Sequence, residues 1–153
     1  MIVEVRLSQR NLIMYTALEV ANYVIDRCAG QGHPVSYFRL QELLYCIRKE
    51  FLSMGEDIFT DPIEAGQSGP LVRSVHNRYC AFAARGISLR FATSIQETHA
   101  LIMNQVIDKY CFLPPWDMAE LIKPKGGAWD TTYDGEKGKF RIIPPELIAD
   151  ENA

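Results

Sequence analysis

The sharpest pattern along the chain lies in "YFRLQELLYCIRKEFLSM", residues 37–54, where Leu40, Leu43, Leu44, Ile47 and Phe51 recur at steps of three and four. That spacing gathers them into one stripe of a helix and leaves Arg39, Glu42, Arg48 and Lys49 largely away from it. Ser36 stands where an N-cap belongs, and Gly55 where the helix must stop. A weaker stripe of Leu18, Ala21, Val24 and Ile25 predicts an earlier helix over about Tyr15 to Cys28, ended by "AGQGHP". Ahead of it, "IVEVRL" at residues 2–7 alternates apolar and charged positions, the pattern of an edge strand or an extended arm.

Further along, Pro70 suits the first position of a third helix, where its missing N–H costs nothing. The stripe of that helix is Leu71, Val72, Val75, Tyr79 and Phe82, and Gly86 stops it. "ISLRFATS" predicts a short extended piece. A fourth helix is expected over about Ile95 to Tyr110, with Leu101, Ile102, Val106 and Ile107 inward. A shorter one runs from Pro115 to about Ile122, ended by Pro124 and Gly126-Gly127. Trp129 to Gly138 reads as turns, "FRII" as a short apolar piece and Glu146 to Ile148 as a last turn. The sum is a mostly α protein, a single compact helical domain of about five to six helices with a few short β-strands, spanning residues 1–153 with its core at about 17–148.

Composition agrees. At 153 residues and 48% hydrophobic, the chain has the size of one domain and enough apolar surface for a core. No run approaches the length of a membrane span, and the N-terminus carries an acid too early for a signal peptide, so a cytoplasmic protein without membrane contact is expected. The net charge of −3 gives no reason to expect nucleic-acid binding. Charge is uneven, however. Residues 65–96 hold Arg73, Arg78, Arg85 and Arg90 and no acid, so this window carries +4 and the remainder −7. Such asymmetry steers an acidic partner, unless the arginines pair with the acidic remainder in the fold. Cys28, Cys46, Cys80 and Cys111 have no zinc-ligand spacing and read as reduced, mostly buried thiols.

Candidate chemistry is sparse, and no metal or cofactor is expected. His76 and Cys80, four apart on the third helix, have the spacing of half a metal site or of a nucleophilic pair, but neither has a second half. A buried Cys beside a surface His is the simpler account. Glu64, between Ile63 and Ala65, suits a general acid in a half-apolar loop or, more simply, a structural acceptor of loop or helix-start N–H groups. Trp129, after two glycines, reads as a packing anchor for the tail, with a partner hot spot as the alternative. Tyr37, Phe38, Tyr45 and Tyr79 have the spacing of core residues rather than of stacking platforms.

Four pieces in this order resemble the Panacea domain family of phage-associated GepA-like proteins and SocA-like antitoxins. They are "VANYVIDR" (Val20 to Arg27), "RLQELLYC" (Arg39 to Cys46), "DPIEAGQSGPLVRSVHNRY" (Asp61 to Tyr79) and "LIKPKGGAW" (Leu121 to Trp129). The chain departs from the family pattern where Gly66 stands for Trp, Ser68 for Tyr, Lys123 for His and Glu42 for Lys. The resemblance implies an antitoxin that binds a toxin directly or delivers it to a protease as an adaptor, with no catalytic activity of its own. The resulting expectation is a non-enzymatic protein-interaction module whose partner is a cognate toxin, with Glu64, Arg73, His76, Arg78 and Trp129 as partner-binding residues and no catalytic or metal site. The alternatives are a phage-associated DNA-binding or regulatory protein that places the same arginines on phosphates, and an enzyme working through Glu64 and His76.

Overall fold

The computed structural model describes residues 14–151, so the alternating segment at residues 2–7 lies outside the described residues. The remainder is mostly α, with seven α-helices and one small antiparallel sheet among the described residues. None of these helices is long and apolar enough to cross a membrane.

Helix α1, Ala17–Gly30, begins two residues later than its stripe suggests. Tyr15 instead forms a parallel bridge with Phe59, and Thr16 becomes the N-cap of a full capping box with Glu19. Asp61 joins this start by accepting the Ala17 N–H at 2.8 Å. Helix α2, Tyr37–Ser53, is the predicted long helix, with the Ser36 hydroxyl accepting the Arg39 N–H. Its stripe residues are fully buried. Burial of each such side chain is worth about 1.5–3 kcal/mol.

The acid-bearing stretch after α2 departs from expectation. Ile63–Gly66 (β1) and Gly69–Val72 (β2) form a hairpin with Gln67 and Ser68 as its two-residue turn, and Pro70 lies in a strand rather than opening a helix. The register explains why the proline is tolerated. Pro70 pairs with Ala65, whose N–H points to the other side of β1 and bonds the Arg141 carbonyl at 2.7 Å. The Ala65–Pro70 pair is therefore a non-hydrogen-bonded one, so no ladder bond is lost. Helix α3 is only Arg73–Tyr79, continued by a 3₁₀ turn at Cys80–Phe82.

Residues 87–96 carry no regular secondary structure. They are pinned by buried Ile87, whose N–H bonds the Val35 carbonyl, and by Asp26, which accepts from the Arg90 side chain and the Phe91 N–H. Helix α4 spans Glu97–Tyr110 and faces inward through His99, Met103, Val106 and Ile107. Leu101 is exposed, contrary to expectation, because the true inward phase starts at His99 and steps by four. Helix α5, Pro115–Ile122, matches its prediction with Pro115 in the first turn.

Two more helices close the chain, α6 at Ala128–Tyr133 and α7 at Pro145–Asp150. The first corrects a stretch read as turns. Between the two, residues 140–143 run along the free edge of β1, with Phe140 N–H on Ala65 O and Ile143 N–H on Ile63 O. Helix α2 occupies the centre, packing against α1, α4, α5, α7 and β2.

Charges on α2 also depart from the amphipathic reading. Arg48 is buried, fork-bonded to Asp57 and donating to the Asp61 carbonyl. Arg39 reaches the carbonyls of Tyr110, Cys111 and Leu113 at the open end of α4. Both reach backbone carbonyls far along the chain, a long-range use that no local pattern signals.

Candidate functional site

The first turn of α2 and the tip of the hairpin stand apart, and the space between them is a cleft of about 450 Å³. Tyr37, Phe38, Gln41 and Glu42 line it from α2. The hairpin turn forms the facing wall, and Arg73, His76, Ile122 and Phe140 complete it.

Gln41 sets the relation between helix and hairpin. Its carboxamide accepts the Val72 N–H at 2.9 Å and donates to the Val72 carbonyl at 3.1 Å, taking the place of a neighbouring strand at the outer edge of β2. One helical turn earlier, the Tyr37 hydroxyl lies 2.6 Å from His76 Nδ1 and 3.4 Å from Gln41 Nε2. Gln41 donates to the phenol, and the phenol and His76 Nδ1 share a hydrogen bond whose direction follows the imidazole tautomer. Burial raises the Tyr37 pKa, and the hydrogen bond from Gln41 opposes that rise. Glu42, at the same mouth, also titrates above the ordinary carboxylate value because burial outweighs the opposing charge of Arg39.

Glu64 and Arg73 meet across the hairpin and the start of α3. The guanidinium donates to both carboxylate oxygens at 2.7 and 3.2 Å and lies over the Phe140 ring at 5.2 Å. An exposed pair of this kind adds little stability, but the two contacts fix where the guanidinium sits. Glu64 is thus a structural acceptor of a side chain rather than of the N–H groups expected for it. Lys139 lies over the same Phe140 ring at 5.4 Å. Trp129 braces the hairpin, donating Nε1–H to the Gly66 carbonyl at 2.8 Å, stacking on Tyr133 and lying under the Lys123 ammonium at 5.4 Å.

Of the five predicted partner-binding residues, Arg73 and His76 therefore line one cleft, Glu64 is tied to it through Arg73, and Trp129 braces its turn. Arg78 does not join them. It lies two residues beyond His76 on the exposed side of α3, beside Tyr79. The acid-free window is also less bare than its composition: Arg73 pairs with Glu64, and Arg90 with Asp26.

Further corrections concern burial. Cys80 is exposed and His76 half-buried against Tyr37, the reverse of the expected buried Cys beside a surface His. The short helix turns the Val75–Tyr79 face inward and leaves Cys80 at its end. Phe38, expected in the core, is 54% exposed at the cleft mouth, while Tyr37, Tyr45 and Tyr79 are buried. Among the described residues no group of three His, Cys, Asp or Glu side chains is placed to share a metal ion.

The residues that sequence reasoning missed are Gln41, Tyr37 and Phe140. Only the pairing of Tyr37 and Gln41 at a four-residue step on one helix hinted at a shared role. Comparison of the chain with protein-family models, with curated proteins and with solved structures finds no match among any of the three.

Proposed function

We propose that the chain is a non-enzymatic protein-interaction module of the antitoxin kind, which engages a cognate toxin at the cleft between α2 and the hairpin. It either neutralises the toxin directly or hands it to a protease. The observation that carries this reading is the pair of half-exposed phenyl rings, Phe38 and Phe140, at a concave site that Arg73 and His76 line and that Glu64 joins through Arg73. Aromatic groups clustered at a concavity and rimmed by charge are the usual make-up of a protein-binding hot spot. The toxin part of the reading comes from the resemblance to the Panacea domain family. Four free thiols support a reducing cytoplasm as its setting. Pairing of Arg73 and Arg90 with carboxylates weighs against the phosphate-binding alternative, because it removes two of the four cations that reading needs.

Co-expression with the product of the neighbouring open reading frame tests the proposal. The wild-type chain is expected to co-purify with that product and to relieve its growth defect. A Phe38→Ser, Arg73→Glu double variant is expected to lose both, while Arg78→Glu keeps them. Retention of capture and rescue by the double variant overturns the reading.

A further inference from the structure

We infer that the cleft recognises an acidic segment of the partner that carries one bulky apolar side chain. The inference rests on the protein-binding reading above and adds the chemistry of what is bound.

The interior of the cleft is apolar. Leu71, Ile122 and Pro70 line it, with Phe38 and Phe140 at 54% and 46% exposure at the mouth. Its volume of about 450 Å³ falls within the roughly 300–1,000 Å³ of ordinary ligand sites, ample for one large side chain.

The rim has the opposite character. Three cations are each held over an aromatic ring: Arg73 and Lys139 over Phe140, and Lys123 over Trp129. Cation–π contacts hold the two ammonium groups without neutralising them, whereas the charge of Arg73 is already paired with that of Glu64. The Lys123 stem passes the hairpin turn at Gly69 and its charge acts on Glu42 of the cleft wall, so it belongs to the same mouth. The Glu42 carboxylate that lines the cleft and the Glu64 carboxylate beside it are already engaged, Glu42 by Arg39 and Glu64 by Arg73. Glu64 occupies Nε and Nη2 of Arg73, which leaves the Nη1 donors for a further acceptor. An approaching chain therefore meets positive charge at the edge and apolar surface within. Charge complementarity selects acidic flanks around an apolar anchor.

The test pans the intact chain against a random peptide library and measures the enriched peptides, made with a fluorescent label, by anisotropy. The expected consensus has one Trp, Phe or Leu with Asp or Glu on its flanks, and its binding weakens as salt rises. Replacing the anchor with Ser, or combining Phe38→Ser with Phe140→Ser in the protein, weakens binding roughly tenfold or more. Lys139→Glu weakens binding and flattens its salt dependence. Trp116→Ser, at an exposed tryptophan outside the cleft, leaves it unchanged. A basic or uncharged consensus, the absence of any enriched peptide, or binding indifferent to the two phenyl replacements overturns the inference. The two proposals fail separately. Peptide binding as described without growth rescue removes the antitoxin reading alone, whereas rescue that depends on Phe38 together with a basic consensus removes only the acidic segment.

Discussion

Gln41 shows how one side chain organises a site it does not visibly advertise. Its carboxamide completes the edge of β2 and its nitrogen also reaches the Tyr37 hydroxyl, so helix, strand and His76 share one set of hydrogen bonds. Gln41→Leu is expected to leave the buried Val72 N–H without its partner and to lower stability by about 1–3 kcal/mol, read from urea unfolding. A second prediction at this scale concerns thiols. Burial raises the pKa of Cys28 to about 11 and of Cys46 to about 12, whereas Cys80 is exposed. Native protein treated with a thiol reagent at neutral pH is expected to label Cys80 first, with Cys28 and Cys46 reacting only on unfolding; mass spectrometry of the labelled peptides checks the order. Glu64, Arg73 and His76 were legible as candidates because charge in a half-apolar stretch draws notice. Tyr37, Gln41 and Phe140 were not, since helical spacing alone assigns the first two to packing and nothing local connects residue 140 to residue 65.

At the scale of elements, the extent of α2 was legible because cap, stripe and stop agree: Ser36, the Leu40 to Phe51 run and Gly55 all mark the same helix. The hairpin was hidden by its own composition. Gly69-Pro70 before an apolar run imitates a helix start, and Gln67-Ser68 lacks the Asn-Gly signature of a two-residue turn. What distinguishes the strand is Gly69, whose φ of +142° lies where side chains are rarely accommodated. Gly69→Ala is therefore expected to cost about 1–3 kcal/mol and to splay the turn, as a lowered melting temperature and weaker partner capture. Gly66 is constrained differently. A Cβ there would stand 2.7 Å from the Gly69 carbonyl oxygen, so the tryptophan of the Panacea pattern does not fit this hairpin without a shift of backbone. The six-residue α6 escaped notice because "AWDTTY" is too short and too polar to display a period.

At the scale of the molecule, distant segments are joined by a few carboxylates. Asp26 holds residues 90 and 91 against α1. Its pKa is lowered chiefly by the Arg90 side-chain hydrogen bond and then by the Phe91 N–H. Because the folded value lies below the ordinary aspartate value of about 3.9, the associated stability is complete above about pH 4 and lost as the pH falls through the depressed folded value. Thermal melts across that range are expected to converge for wild type and Asp26→Asn at the acid end and to separate above about pH 4. Glu151 plays a similar part near the other end, accepting from the Tyr45 hydroxyl and the Ala128 N–H and pairing with Lys49. The position of β1 between β2 and residues 140–143 has a consequence in time. A hairpin closes in about 1–10 μs, but the second flank returns from far along the chain and must await a slow, non-local closure. The Phe140 wall is then expected to be the last part of the cleft to assemble and the first to open. Native-state hydrogen exchange is expected to show the Ala65 amide, bonded to Arg141, opening at lower free energy than the amides of mid-α2. A partner that covers Phe140 would close this opening, so occupancy of the cleft would be felt as slowed exchange along β1, where it bonds residues 140–143.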